Sequence, residues 1–144
     1  MKEQGAASID YSELFDQIHT VAVVGYSDNP QRAGHYVPKY LAQRGYQIIA
    51  INPRFEGSVD GFACYPSLSD IPAGTPIDVV DVFRAPEFVA ALVDEAALLR
   101  PIPRYFWMQP GAENPEAASK AIEAGMVPIS NECMLARHRD LLRS

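Results

Sequence analysis

Two short, uninterrupted apolar runs restrict this chain more than any other feature: residues 21–24 and Gln47–Ile51, each cut off by turn-forming residues. Val21, Ala22, Val23 and Val24 run into Gly25; Ile48, Ile49, Ala50 and Ile51 run into Asn52 and Pro53. Such runs, lacking polar alternation, fit strands covered on both faces. Strands of that kind belong in a parallel sheet, whose neighbours need crossover connections, usually helical. The sequence between them supplies one: Tyr36, Val37, Tyr40 and Leu41 recur at helical spacing, and Gly45 provides a stop. Pro38 fits that helix only in its first turn, where the missing N–H costs nothing.

The alternation continues along the chain. Val79, Val80 and Val82 mark a strand within residues 77–83, with Asp78 and Asp81 spaced to opposite faces. Pro86 and Glu87 open a helix carrying Val89, Leu92, Val93, Ala96 and Leu99, closed by Pro101. Residues 104–108 read as a strand, Asn114-Pro115-Glu116 caps a helix ending at Gly125, residues 126–129 form the last strand, and residues 134–142 a closing helix. Asp10 and Glu13, at capping spacing ahead of Leu14, Phe15 and Ile18, predict an appended helix over residues 10–18. A surface segment runs through Gly61, and residues 62–65 fit an extended piece or a loop. The pattern defines an α/β class: a three-layer Rossmann-like fold with a mainly parallel sheet of about five strands and helices on both faces.

Length and charge narrow the function. The 144 residues suit one domain, 1–144, burying roughly two thirds of its unfolded surface. A net charge of −6 argues against general nucleic-acid binding, which rests on cationic neutralisation of phosphates. No apolar run approaches the ~18 residues of a membrane span, and residues 1–10 lack signal-peptide regions, so the expected compartment is cytoplasmic. Cys64 and Cys133 match neither a disulfide framework nor a zinc pattern and are expected as free thiols. A homo-oligomer or a protein partner is left open.

Ligands of open parallel sheets bind beyond the strands' carboxyl ends, which directs attention to four loops. The first, residues 25–34, joins a buried strand to a helix, so backbone N–H groups can meet a phosphate, with Gly25, Tyr26, Ser27, Asp28 and Arg32 as candidates. It is not the GxGxxG fingerprint, since the later glycines are missing. The second is Asn52-Pro53-Arg54, where NAD-binding domains carry a ribose-binding carboxylate. Arg54 would instead attract a phosphate on that ribose, which fits coenzyme A or NADP. The third, Phe83-Arg84-Ala85-Pro86, offers apolar flanks and a cation at a helix start, where the dipole disfavours one. The fourth contributes Gln109 and Gly111; Trp107, beside it, reads as core.

Taken in order, Val23-Val24-Gly25-Tyr26-Ser27, Gly45-Tyr46, Ile51-Asn52-Pro53, Asp81-Val82-Phe83-Arg84, Trp107-Met108-Gln109-Pro110-Gly111 and Glu132-Cys133-Met134 resemble the coenzyme-A-binding domain family, which includes the N-terminal domain of the succinyl-CoA synthetase alpha subunit. The resemblance implies that Tyr26, Ser27 and Asp28 lie at the phosphates, that Asn52, Pro53 and Arg54 border the adenosine end, and that residues 83–86 line the cofactor groove. In the synthetases the phosphorylated histidine lies in a second domain, and His19, His35 and His138 do not match it. All three read as structural or exposed.

No catalytic constellation or metal-ligand cluster can be assembled from the sequence. Cys133, after the last strand, reads as a small buried hydrophobe or as a thiol facing the cofactor. The expected function is non-catalytic binding of coenzyme A or an acyl-CoA, as sensor, carrier or regulatory module; the alternatives are an NADP-binding oxidoreductase or redox-responsive domain, and a purely structural partner of a larger ligase subunit.

Overall fold

The structure, a computed structural model, describes residues 9–143. The two apolar runs become neighbouring parallel strands at the centre of a sheet. β1 (Thr20–Val24) lies against β2 (Gln47–Ile51), with Val21 opposite Ile48 and Val24 opposite Ile51. With β3 (Gly57–Val59), β4 (Phe62–Tyr65), β5 (Val79–Val82), β6 (Tyr105–Met108) and β7 (Val127–Ser130), the order is β3-β4-β2-β1-β5-β6-β7. Every pairing is parallel except β3 with β4.

The sheet has seven strands rather than about five. Residues 57–65 fold back as an antiparallel hairpin, turning at Asp60 (φ 53°) and Gly61 (φ 85°). Positive φ at both central residues is what a type I′ hairpin turn requires, and Asp-Gly favours it. That dipeptide was the signal for the extra strand.

Alternation along the strands divides two apolar layers. Ala22, Val24, Ile49, Ile51, Val80 and Val82 face α3 (Val89–Ala97) and α4 (Pro115–Glu123). Val21, Val23, Ile48, Ala50, Val79 and Trp107 face α1 (Tyr11–Gln17), α2 (Ala33–Gln43) and α5 (Met134–Leu142). Asp10 caps α1 through the Glu13 N–H, and Asn114 caps α4 through Ala117. Trp107 is fully buried, as expected of core, and donates its indole N–H to the Glu132 carbonyl at 2.6 Å. Both cysteines are free thiols.

Two expectations are corrected. Pro38 lies in the interior of α2, not in its first turn. Without an N–H at that position the Gly34 carbonyl loses its helical donor, and it accepts the Ser27 N–H instead, at 3.2 Å. Asp78 and Asp81 do not share a strand. Asp78 precedes β5 and accepts from the His19 and Thr20 N–H groups at 2.8 and 2.9 Å. Asp81 is inside β5, in register with Val23 and Trp107, and entirely buried.

His138 joins α5 to the rest of its layer. Its ring packs edge-on against Phe15, Tyr40 and Tyr46, and the Tyr40 hydroxyl lies 2.9 Å from Nδ1. Burial, then the charge of Arg44, lowers its pKa from 6.5. A lowered folded pKa means that the unfolded chain takes up the proton first, so the stability tied to neutral His138 is full above pH 6.5 and is lost as pH falls through the folded value. Equilibrium denaturation between about pH 7.5 and 5.5 should show wild type losing stability relative to His138→Gln as pH falls; equal slopes in the two proteins would remove His138 from this role.

Candidate functional site

The strand order reverses at β1: the chain first builds outward through β2 and β4, then returns to place β5 on the other side of β1. The loops leaving β1 and β5 part there, leaving a crevice at the carboxyl edge. It holds a cavity of about 740 Å³. Its close walls depend on two glycines. A Cβ on Gly25 would lie 2.6 Å from the Phe83 carbonyl oxygen, and one on Gly34 would lie 2.7 Å from the Gly25 carbonyl oxygen. Side chains at either position would separate loops that here pack backbone to backbone.

Hydrogen bonding decides which loop donors face the cavity. The N–H groups of Gly25 and Tyr26 both donate to the Ile51 carbonyl, at 2.9 and 3.3 Å, and that of Ser27 goes to Gly34. The Asn29 N–H donates to Ser27 Oγ, and the Gln31 N–H to Asn29 Oδ1. Left without a partner among the described residues are the N–H groups of Asp28, Ala33 and Gly34, the last two in the first turn of α2. That helix has Arg32 at its N-cap, no side-chain cap and no acidic residue in its first turn, whereas α1 and α4 are capped. Its positive end opens on the cavity, a fit for an anion.

Cations complete the wall. Arg32, Arg54 and Arg84 all line the cavity. Arg84 holds its guanidinium 4.5 Å from the Phe88 ring centroid, and Arg54 lies 3.8 Å from Asp28 across the mouth. Asn52 fastens the two loops, donating from Nδ2 to the Tyr26 carbonyl and accepting the Arg54 N–H, both at 2.8 Å.

Behind the loop, Tyr26 is fully buried. Its hydroxyl donates to Asp60 at 2.5 Å, while His35 Nδ1 lies 2.9 Å from the Ser27 carbonyl and 3.7 Å from Asp60. Burial, then the Asp60 hydrogen bond, pushes the Tyr26 hydroxyl up from its usual value of 10. Tyr26 thus supports the wall from behind, and its phenol is directed away from the cavity.

Gly25, Tyr26, Ser27, Asp28, Arg32 and Asn52 come together around this cavity, joined by Arg54, Phe83, Arg84, Ala85 and Gly111. Pro53 lines a neighbouring cavity of about 370 Å³. Pro86 and Gln109 line neither. Gln109 is buried and accepts the Met134 N–H at 3.1 Å, holding the start of α5. Cys133, the N-cap of α5, also lines neither cavity. Sequence reasoning missed Ala33 and Gly34, although the absence of a capping residue before the helix was legible. It also missed Pro66, Ser67, Leu68, Leu92 and Glu95 around the second cavity. Among the described residues, no group of His, Cys, Asp and Glu is placed to hold a metal, and no helix is long and apolar enough to cross a membrane.

At its switch point this Rossmann-like sheet carries an uncapped helix N-terminus and three arginines, an arrangement whose charge suits an anion. The chain belongs to the CoA binding domain family, whose pattern it matches over residues 19–139. It is 33% identical to the uncharacterised protein YneT of Bacillus subtilis over 135 residues, 94% of this chain and 96% of that one. A solved Thermus thermophilus protein is 35% identical with a TM-score of 0.83, covering 91% of this chain and 96% of its own. A Pyrococcus horikoshii structure is 32% identical, with a TM-score of 0.84 and 99% of each chain covered.

Proposed function

We infer that this chain binds coenzyme A or an acyl-CoA in the 740 Å³ cavity, without turning it over, as a sensor, carrier or regulatory module. The observation that carries this reading is the uncapped first turn of α2, whose free Ala33 and Gly34 N–H groups share one cavity with Arg32, Arg54 and Arg84. Phosphate oxygens suit both donor types, and arginine holds them in bidentate fashion. Arg54 is the candidate for the phosphate on the adenosine ribose, a group that would replace Asp28 as its partner. Family membership adds independent support. The other proposed contacts are Gly25, Tyr26, Ser27, Asp28, Asn52, Phe83, Ala85 and Gly111, with Pro53 in the adjoining cavity; Pro86 and Gln109, which line neither, are not among them.

Thermal denaturation with CoA, acetyl-CoA, dephospho-CoA, NADP and NAD tests the reading. A ligand at about 100 times its dissociation constant stabilises by about 2.7 kcal/mol. CoA should raise the melting temperature more than dephospho-CoA, and Arg54→Ala should erase that difference. A larger shift with NADP than with CoA would transfer the site to the dinucleotide; no shift with any of the five would remove the cofactor altogether.

A further inference from the structure

We propose that Asp60, at the tip of the β3–β4 hairpin and outside both cavities, is a positioning residue for the anion seat, acting through the Tyr26 phenol and the His35 ring. The inference rests on the coenzyme A reading above. Tyr26 is fully buried and packs edge-on against Phe62 of the hairpin, ring centroids 5.8 Å apart. A phenol taken out of water needs a partner for its O–H. Asp60 supplies one at 2.5 Å, and it can turn inward because aspartate tolerates the left-handed φ of 53° found there.

The same carboxylate lies 3.7 Å from His35 Nδ1, which is 2.9 Å from the Ser27 carbonyl. A carbonyl only accepts, so Nδ1 carries the hydrogen, and a carboxylate beside it favours that tautomer. Ser27 is thereby clamped by two consecutive residues of α2: its N–H donates to the Gly34 carbonyl at 3.2 Å, and its carbonyl accepts from His35. The N–H groups without a partner among the described residues flank this clamp, Asp28 beside Ser27 and Gly34 beside His35. The clamp sets their spacing, and Asp60 backs the clamp. Position and charge oppose each other here, since a carboxylate behind an anion site repels the anion. Asp60 is 40% exposed, so water weakens that repulsion, whereas the hydrogen bond to the buried phenol is made away from water.

Calorimetric titration of the full chain with CoA, together with imidazole nitrogen NMR of His35, tests this. Asp60→Gly removes the carboxylate without straining the turn, because glycine adopts positive φ freely. It should weaken CoA about tenfold, the usual worth of a hydrogen bond to a charged group. Asp60→Asn keeps an acceptor for the phenol and tolerates the same φ, so it should retain most of the affinity. Tyr26→Phe should lose about as much as Asp60→Gly, and the double variant little more than either, because contacts that act as one unit do not add. In unliganded wild type, with the ring neutral, the His35 hydrogen should sit on Nδ1; in Asp60→Gly the Nε2 form should appear. An Asp60→Gly protein that melts lower yet binds CoA as tightly as wild type would reduce Asp60 to a stabiliser of the hairpin and overturn the proposal. Tighter binding by that variant would also overturn it, making charge rather than position the deciding effect, as would a wild-type His35 with its hydrogen on Nε2. Failure of wild type to bind CoA at all would overturn the site reading first, and this role with it.

Discussion

Replacing Asp81 with valine is expected to stabilise the protein by about 1–3 kcal/mol near neutral pH, the usual penalty of a buried polar group left without a partner. Asp81 is fully buried in β5, and neither carboxyl oxygen has a hydrogen bond among the described residues. Alternation places it on the face of Val79, with Val23 and Trp107 in register on either side. A β-branched apolar side chain suits such a position in a strand. Desolvation raises the Asp81 pKa well above 3.8. The folded state therefore prefers the neutral acid, and its contribution is fully present below the unfolded pKa and is lost as pH rises through the folded one. For every pH unit by which burial delays ionisation, forcing the charge into the folded protein costs about 1.4 kcal/mol. Asp81→Asn separates charge from polarity: it removes the pH dependence but leaves an unpaired polar group. Urea denaturation from about pH 5 to 9 should show both variants gaining on wild type as pH rises, with valine at or above asparagine. A loss of stability in Asp81→Val, or a gap insensitive to pH, would mean that the carboxyl is satisfied in solution.

This residue also marks how far the sequence could be read. The central strands were legible because burial on both faces leaves a local signature, unbroken apolar runs, mostly β-branched, ending at Gly25 and Asn52. β3 escaped because its residues are largely exposed, with a burial pattern of two exposed positions and one intermediate; only the Asp60-Gly61 turn announced it. Pro38 shows a local rule overridden from outside the helix, since the carbonyl it leaves unpaired is taken by Ser27. In the site, turn residues at strand ends correctly marked the loops that meet at the carboxyl edge. Which donors were free was not legible, because Gly25, Tyr26 and Ser27 spend theirs on Ile51 and Gly34, partners distant in the sequence. Gln109 reads as a loop residue until α5 folds over it and offers the Met134 N–H. Asp81 reads as an ordinary polar interruption; its meaning comes from what the fold fails to put beside it.

Gly25→Ala is expected to be the most damaging single change at the crevice, costing about 2–4 kcal/mol of stability. Two penalties meet there. Gly25 has a φ of 88°, a conformation that a side chain strains, and its Cβ would lie 2.6 Å from the Phe83 carbonyl oxygen. The neighbouring glycines separate these costs. Gly45 has a φ of 98° but nothing within 4 Å of its would-be Cβ, so Gly45→Ala carries strain alone. At Gly34 no positive φ is involved, and the contact with the Gly25 carbonyl oxygen at 2.7 Å acts alone. Thermal denaturation should therefore rank Gly25→Ala below both others. Ligand binding should divide the series differently. Spreading the loops at Gly25 or Gly34 displaces the first turn of α2 and its free N–H groups, so both variants should lose most of the CoA-dependent shift in melting temperature. Gly45→Ala acts at the opposite end of α2 and should keep that shift even though it is destabilised. If Gly34→Ala bound CoA like wild type, the α2 terminus would not be the anion's seat, and the arginines would have to hold the phosphates alone.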